Sequence, residues 1–297
     1  METLIKNTDS TDVNEVEYNY EPFADTEEYR RVNGECINSW VQIMKKKGVS
    51  GIEALLDVAT GAGTMVQLVF DNLPDSWKKA AVMCLDQSSE ALKLAQSKLE
   101  KTVDRLKLVH SSIEDMKIPD QSIDIAVWGN GIHYLSEIDQ LDSIKRIKRA
   151  LKPGGLLFFN TAFYEEARPA DTLPFYRTQV KNAVHYLKER GVKRQRSDIK
   201  TEAAKFLPKS YYEGLVEQAG FKLVDATEFA VEMHREAWEY ISAFQQYAAG
   251  ALRGYPIKDA IEAMRGSVQP ALEQHGHVDR DGELFITRKW LAISAEA

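Results

Sequence analysis

The feature that most constrains the fold is a regular alternation of short apolar runs with amphipathic stretches. Five runs have the length and composition of buried strands, at residues 54–58, 81–85, 106–109, 123–128 and 156–159. Stretches with helical spacing lie between them, notably at residues 88–100 and 138–151. Because strands and helices alternate, the pattern predicts right-handed crossovers and a mostly parallel sheet with helices on both faces. The sequence therefore predicts a doubly wound α/β core.

The alternation is interrupted twice after the fifth run. Residues 165–205 contain a charged amphipathic helix and are too long for a simple connection, so we interpret them as a helical cap insertion. A helix at residues 210–219 and a strand at 221–226 then restore the alternation. A second cap insertion is predicted at residues 235–275. The core with both insertions spans residues 51–297.

The part of the chain ahead of the core divides in two. Residues 1–16 are acidic and rich in Ser, Thr and Asn, which predicts a mobile N-terminus. Residues 17–50 contain aromatic side chains and a helical pattern, and we expect them to form a helical lid. No apolar segment typical of a secretory signal is present in the first twenty residues.

Composition excludes several functional classes. The longest stretch without a charged residue, residues 58–70, is shorter than the run of about 20 that a membrane span needs. The formal charge of −7 argues against a nucleic-acid partner. Cys36 and Cys84 are the only cysteines, and we interpret them as free thiols of a cytoplasmic protein. No spacing of His, Cys or carboxylates suggests a metal site, so none is predicted.

A glycine-containing turn follows the first apolar run, in the segment Asp57-x-x-x-Gly61-x-Gly63. Glycines there let the backbone approach a ligand, and the next helix offers unpaired amides. A dinucleotide fingerprint would place a third glycine where Val66 stands, and its acidic residue would not precede the glycines. Asp86 ends the second run, where a carboxylate can accept both hydroxyls of a ribose. The motif therefore favours a nucleoside ligand other than NAD or FAD.

Further segments extend this pattern, and together they resemble the class I S-adenosylmethionine-dependent methyltransferases. The resemblance is carried in chain order by Asp57-x-x-x-Gly61-x-Gly63, Asp86, Ser112-Ile113, Asn130 and Leu151-Lys152-Pro153-Gly154-Gly155. It covers residues 50–165 well and the last strands more weakly. It implies a Rossmann-like, seven-stranded, mostly parallel sheet with an antiparallel last strand, here near Trp290, and cap insertions after strands 5 and 6.

The resemblance also implies how the methionine part and sulfonium region of the cofactor would be held. Asp57, the backbone of Ala59, and Gly61 and Gly63 match the positions that hold this part. Asn130 would reach the methionine end from the fourth strand.

The nucleoside part would be held by the second and third strands. By the same resemblance, Asp86 would bind the ribose hydroxyls and Gln87 would lie beside the adenine. Ser112 stands where many members carry Asp and would hydrogen-bond the adenine amino group. Ile113 would pack on the ring.

The acceptor side is less constrained, because methyl transfer from a sulfonium requires mainly proximity and alignment. His133 follows the fourth strand and is our candidate for a general base, with a packing role at the rim as the alternative. Tyr20 is predicted to be a lid contact, unless it only attaches the N-terminal helix to the core. Tyr134, Tyr176 and Trp238 are candidates for an acceptor pocket roofed by the insertions, although such aromatic residues also build cores.

The expected function is methyl transfer from S-adenosylmethionine to the oxygen, carbon or nitrogen of a small, largely apolar or aromatic metabolite, with S-adenosylhomocysteine as product. The partner is then a small-molecule acceptor, with no nucleic acid and no membrane span, and the protein is a monomer or homodimer. Two alternatives stay open: a nucleic-acid or protein methyltransferase, and a non-catalytic protein that binds S-adenosylmethionine.

Overall fold

The computed structural model describes residues 19–195 and 202–297, so the predicted mobile end lies outside the described residues. Its α-helices, α1 to α11 in chain order, are Glu21–Ala24, Glu27–Lys46, Thr64–Asn72, Ser89–Leu99, Glu137–Ala150, Leu173–Glu189, Lys209–Gln218, Arg235–Ala243, Gln245–Ala251, Ile257–Gly266 and Val268–His275. Its strands, β1 to β8, are Ala54–Val58, Ala81–Asp86, Arg105–His110, Ile123–Gly129, Leu151–Thr161, Lys222–His234, His277–Val278 and Leu284–Glu296. Within these residues, no helix combines the length and apolar character that crossing a bilayer requires.

The strands form one sheet in the order β3-β2-β1-β4-β5-β8-β6. Strands β1 to β5 pair in parallel, and β8 lies antiparallel between β5 and β6. The predicted doubly wound sheet with an antiparallel last strand is confirmed. The expected count of seven strands omitted β7, a two-residue strand that pairs with β8.

The central strands are buried on both faces because their side chains alternate between two hydrophobic clusters. Along β5, Leu156 and Phe158 belong to the cluster that includes α2 and α3, whereas Leu157 and Phe159 belong to the cluster on the opposite face. Trp40 of α2 stacks on Phe158 with ring centroids 5.2 Å apart. This two-sided burial explains why these strands are continuous apolar runs.

The two cap insertions pack on each other. Helix α6, from the first insertion, shares a buried cluster with α9 and α10 from the second, which includes Leu187, Leu252 and Met264. The side chain of Gln179 on α6 is fully buried, and its Nε2 donates to Ser242 Oγ at 2.8 Å and to the carbonyl of Met264 at 3.2 Å. Two segments that are separate in sequence therefore form one helical layer.

The turn after β1 depends on left-handed backbone conformations. Gly63 precedes α3 with φ of 82°. A Cβ added there would lie 2.8 Å from Leu99 Cδ1. Ala59 has φ of 52°, although it carries a side chain. The backbone of the turn is therefore strained at Ala59, and the position of Gly63 has no room for a side chain.

We expect Gly63→Ala to destabilise the protein more than Gly154→Ala does. Gly154 has φ of 77° but open space around its Cα, so its alanine variant should lose only about 1 kcal/mol of unfolding free energy from backbone strain. Gly63→Ala adds overpacking against Leu99, worth about 1–3 kcal/mol more. Chemical denaturation of both variants measures the difference, and equal losses would contradict the steric argument.

Candidate active site

A cleft of ≈ 330 Å³ opens at the carboxyl ends of β1, β2 and β4. The sheet side of the cleft is lined by residues that include Ala59, Thr60, Gly61, Asp86, Gln87, Ser112, Ile113 and Asn130. The covering side comes from the N-terminal segment and the second insertion, through Asn19, Tyr20, Ala24, Tyr29, Phe244, Gln245 and Gln246. Seven of the nine sequence-predicted cofactor residues therefore line one cleft, and Asp57 and Gly63 lie beside it.

The Asp86 carboxylate connects the end of β2 to the glycine turn. The backbone N–H of Gly61 donates to Asp86 Oδ2 at 2.8 Å, and the N–H of Ser88 donates to Oδ1 at 2.8 Å. Burial raises the pKa of Asp86, while these N–H donors act in the opposite direction. Asp86 thus fixes the shape of the turn and presents a carboxylate at the cleft.

Asp57 lies beneath the turn, with 1% of its surface exposed. Thr60 Oγ1 donates to Asp57 Oδ2, whereas Oδ1 has no hydrogen-bond partner among the described residues. Burial raises the pKa of Asp57 from 3.8 to about 7, with a further contribution from the charge of Asp86. A cation bound nearby would favour the ionised form of this carboxylate.

The nucleoside candidates lie on the β2 and β3 side of the cleft. Ile113 is buried there, and Gln87 is exposed. Ser112 Oγ accepts the N–H of Asp115 at 3.2 Å and also donates to its carboxylate. The carboxylate of Asp115 therefore lies next to Ser112, the residue predicted to contact the adenine.

Asn130 joins three parts of the molecule. Its backbone N–H donates to Asn160 Oδ1 at 2.9 Å, and its Oδ1 accepts the N–H of Ala162 at 2.8 Å. Its Nδ2 donates to the hydroxyl of Tyr20 at 2.8 Å. Tyr20 lines the cleft at this bond, and its role as a lid contact stays a prediction. Sequence reasoning missed Asn160, since nothing in its apolar strand marked it.

His133 is 2% exposed and is absent from the residues that line the cleft. Its Nδ1 lies 3.0 Å from Thr161 Oγ1, and its ring stacks on Phe163 at 4.1 Å. Burial and the charge of Arg288 hold the pKa of His133 well below 6.5, so the ring is neutral at physiological pH. Its role as a general base stays a prediction.

The acceptor candidates separate into two groups. Tyr20 and Tyr134 line the cleft, whereas Tyr176 and Trp238 lie around the buried side chain of Arg288. Trp238 is fully buried, with its ring 5.5 Å from that of Tyr176. Sequence reasoning missed Arg288, because an arginine in an otherwise apolar strand has no local pattern that reveals its partners.

Comparison with known proteins shows which proteins this chain resembles. Residues 55–155 match a family model described as a methyltransferase domain. The malonyl-[acyl-carrier protein] O-methyltransferase of Geobacter sulfurreducens is 23% identical over 247 residues, which cover 81% of this chain and 84% of that protein. This chain is thus similar to the class I S-adenosylmethionine-dependent methyltransferases, and its matched region is a methyltransferase domain. It is therefore an enzyme that transfers methyl groups.

Two further proteins are similar to this methyltransferase. A ubiquinone/menaquinone biosynthesis C-methyltransferase of Syntrophotalea carbinolica is 25% identical over 183 residues, covering 61% of this chain and 73% of that one. The solved YcgJ structure of Bacillus subtilis superposes with a TM-score of 0.53 at 14% identity, covering 86% and 97% of the two chains. The structural likeness supports the fold.

The raised pKa of Asp57 predicts a pH-dependent stability. Because the folded state favours the protonated carboxyl, this contribution is fully present below the unfolded pKa of 3.8 and is lost as pH rises towards about 7. The free energy of unfolding of the wild type, relative to Asp57→Asn, should therefore fall between about pH 4 and pH 7 and stay constant above.

Chemical denaturation at pH 5 and pH 8 measures this difference. Asp104→Asn, at an exposed position ahead of β3, makes the same charge change and is measured alongside as the control. An offset for Asp57→Asn that does not change with pH would contradict the assignment.

Proposed function

We propose that the cleft binds S-adenosylmethionine and that the enzyme methylates a small, largely apolar or aromatic metabolite. The observation that carries this proposal is the convergence of the glycine turn, Asp86 and Asn130 on one cleft beneath aromatic side chains. The donor supplies a methyl group on a positively charged sulfonium. The chain's own residues bind the donor and the acceptor, align them and exclude water.

The residues present fit the donor's methionine and ribose parts. Asp57 Oδ1 is a buried acceptor that finds no hydrogen-bond partner in the described part of the chain, and it lies next to a turn whose backbone is open to the cleft. An ammonium or sulfonium near this turn would compensate the negative charge of Asp57. At the end of β2, the Asp86 carboxylate lines the cleft and would accept the ribose hydroxyls.

The nucleoside and methionine ends would then lie on opposite sides of the turn. Ile113 and Ser112 would contact the adenine, with Gln87 beside it. Asn130 would face the methionine end, where its amide is held by Ala162 and Tyr20. These assignments follow from the matched motif positions and from the lining of the cleft.

A small acceptor is favoured by the covering side of the cleft. The rings of Tyr20 and Phe244 contact each other at 4.9 Å, and Tyr134 lies 6.3 Å from Phe244. This aromatic cover suits an apolar or aromatic body better than a polymer backbone. The relatives include an O-methyltransferase and a C-methyltransferase, so oxygen and carbon both stay candidates for the methylated atom.

We expect Asp86→Ala to weaken the binding of S-adenosylhomocysteine at least tenfold, or about 1.4 kcal/mol, because the ribose loses its acceptor and the turn loses its anchor. Isothermal titration calorimetry measures the affinity. Asp104→Ala, which removes an exposed carboxylate outside the cleft, is the matched control and should bind like wild type.

NAD and FAD are titrated alongside as competing ligands. Binding of S-adenosylhomocysteine by the wild type, with neither dinucleotide bound, supports the proposal. A wild-type protein that does not bind S-adenosylhomocysteine would overturn it, and unchanged affinity in Asp86→Ala would refute the ribose role of Asp86.

A further inference from the structure

Two arginines share one aromatic cluster beside the cleft, and neither pairs with a carboxylate of residues 19–195 or 202–297. We call it the arginine cluster, and its members are Arg168, Arg288, Phe163, Tyr176, Phe206 and Trp238. Both guanidinium groups lie over the same two rings, with Arg168 at 5.6 Å and Arg288 at 5.8 Å from the centroid of Tyr176. Over Phe206 the distances are 3.8 Å and 6.0 Å.

Arg288 projects from β8 and is 3% exposed. Its Nη1 donates to the hydroxyl of Tyr176 at 3.2 Å, and its Nη2 donates to the carbonyl of Ala162. Both acceptors are neutral, and a guanidinium has further N–H donors. Within residues 19–195 and 202–297, Arg288 has no carboxylate within 4.0 Å.

Arg168 is half-buried and lies at the start of the first insertion. Its Nε is enclosed and has no hydrogen-bond partner among the described residues. No acidic group in those ranges forms an ion pair with it either. Burial and the nearby charge of Arg288 lower the pKa of Arg168. The cluster therefore holds two positive charges that repel each other at a site largely removed from water.

This arrangement is costly unless an anion completes it. A buried charge without an opposite partner loses hydration that aromatic contacts replace only in part. Guanidinium groups bind carboxylates and phosphates through paired, charge-assisted hydrogen bonds. The unused donors of the two arginines are therefore matched to an oxyanion.

The cluster lies next to the proposed donor site. A second cavity of only ≈ 10 Å³ is lined by Arg288, Phe163 and Trp238, and also by Asn130, which lines the cleft as well. This volume holds about one water molecule, so a larger anion enters only when the surrounding side chains move. Tyr134 connects the two regions, since its ring lies 6.3 Å from Phe244 over the cleft and 6.3 Å from Phe163 in the cluster. A molecule anchored in the cluster would extend towards the methionine end of the cleft.

We propose that Arg288 and Arg168 bind an oxyanionic group, a carboxylate or phosphate, of the methyl acceptor, while its apolar body contacts the surrounding rings. This inference rests on the proposed function and narrows its acceptor class to small anions with an apolar part. Tyr176 and Trp238 then act in acceptor binding through their contacts with Arg288.

The experiment uses benzoate, phenyl phosphate and neutral benzamide as probes. Each is titrated into the full-length protein with and without saturating S-adenosylhomocysteine, and binding is followed by calorimetry. The wild type should bind benzoate or phenyl phosphate at least tenfold more tightly than benzamide. Whichever of the two anions binds more tightly shows whether the site prefers a carboxylate or a phosphate.

Substitution of the arginines tests the assignment. In Arg288→Met and in Arg168→Met, the ratio of the affinity for the anion to the affinity for benzamide should fall at least tenfold. The affinity of both variants for S-adenosylhomocysteine should stay that of wild type. Arg177→Met, at an exposed position next to Tyr176 on α6, makes the same charge change and should retain the preference. If Arg288→Met does not fold, Arg168→Met and Arg288→Lys decide the outcome.

Equal affinity for benzoate, phenyl phosphate and benzamide, or an anion preference retained in the folded arginine variants, would overturn the inference. Failure of the proposed function is a separate result, because it appears as absent binding of S-adenosylhomocysteine to the wild type. The titrations without S-adenosylhomocysteine report the charge preference in either case.

Discussion

The geometry of the site depends on the hydrogen bonds of Asn130, which form a junction between β4, β5 and the N-terminal segment. Its backbone is bound by Asn160 of β5, and its amide group connects Ala162 to Tyr20 of the N-terminal segment. These contacts hold the ends of two parallel strands and the cover over the cleft in one geometry. Because Asn130 lines both the cleft and the smaller cavity, it also sets where a donor and an acceptor would meet.

Unpaired charges of opposite sign lie on the two sides of this junction. Asp57 is buried beneath the glycine turn with one oxygen unbonded, and Arg168 and Arg288 lie in an aromatic cluster without a carboxylate in the described ranges. Each arrangement stores electrostatic free energy that a ligand of the complementary charge can release. A cationic donor and an anionic acceptor would each relieve one of them.

The insertions do more than cover the core. Helix α8 carries Trp238, and α6 carries Tyr176, so the arginine cluster exists only where the two insertions meet β8. The second insertion also supplies Phe244 to the cleft. Under the proposed function, acceptor recognition would depend on the helical layer, whereas donor binding would depend on the ends of β1, β2 and β4. Such a division allows related enzymes to change acceptor without altering the donor side.

Local pattern in the sequence determined the doubly wound core, the glycine turn and the positions of Asp86, Ile113 and Asn130, because periodicity and strand ends are properties of neighbouring residues. The tertiary structure alone decided that His133 is buried and does not line the cleft, that Asn160 binds Asn130, and that Arg168 and Arg288 share the rings of Tyr176 and Phe206. Arg168 and Arg288 are far apart in sequence, and only the packing of both insertions against the antiparallel last strand brings them together. Contacts of this kind leave no local spacing or composition in the sequence, because they join residues that are distant in sequence and meet only in the folded chain.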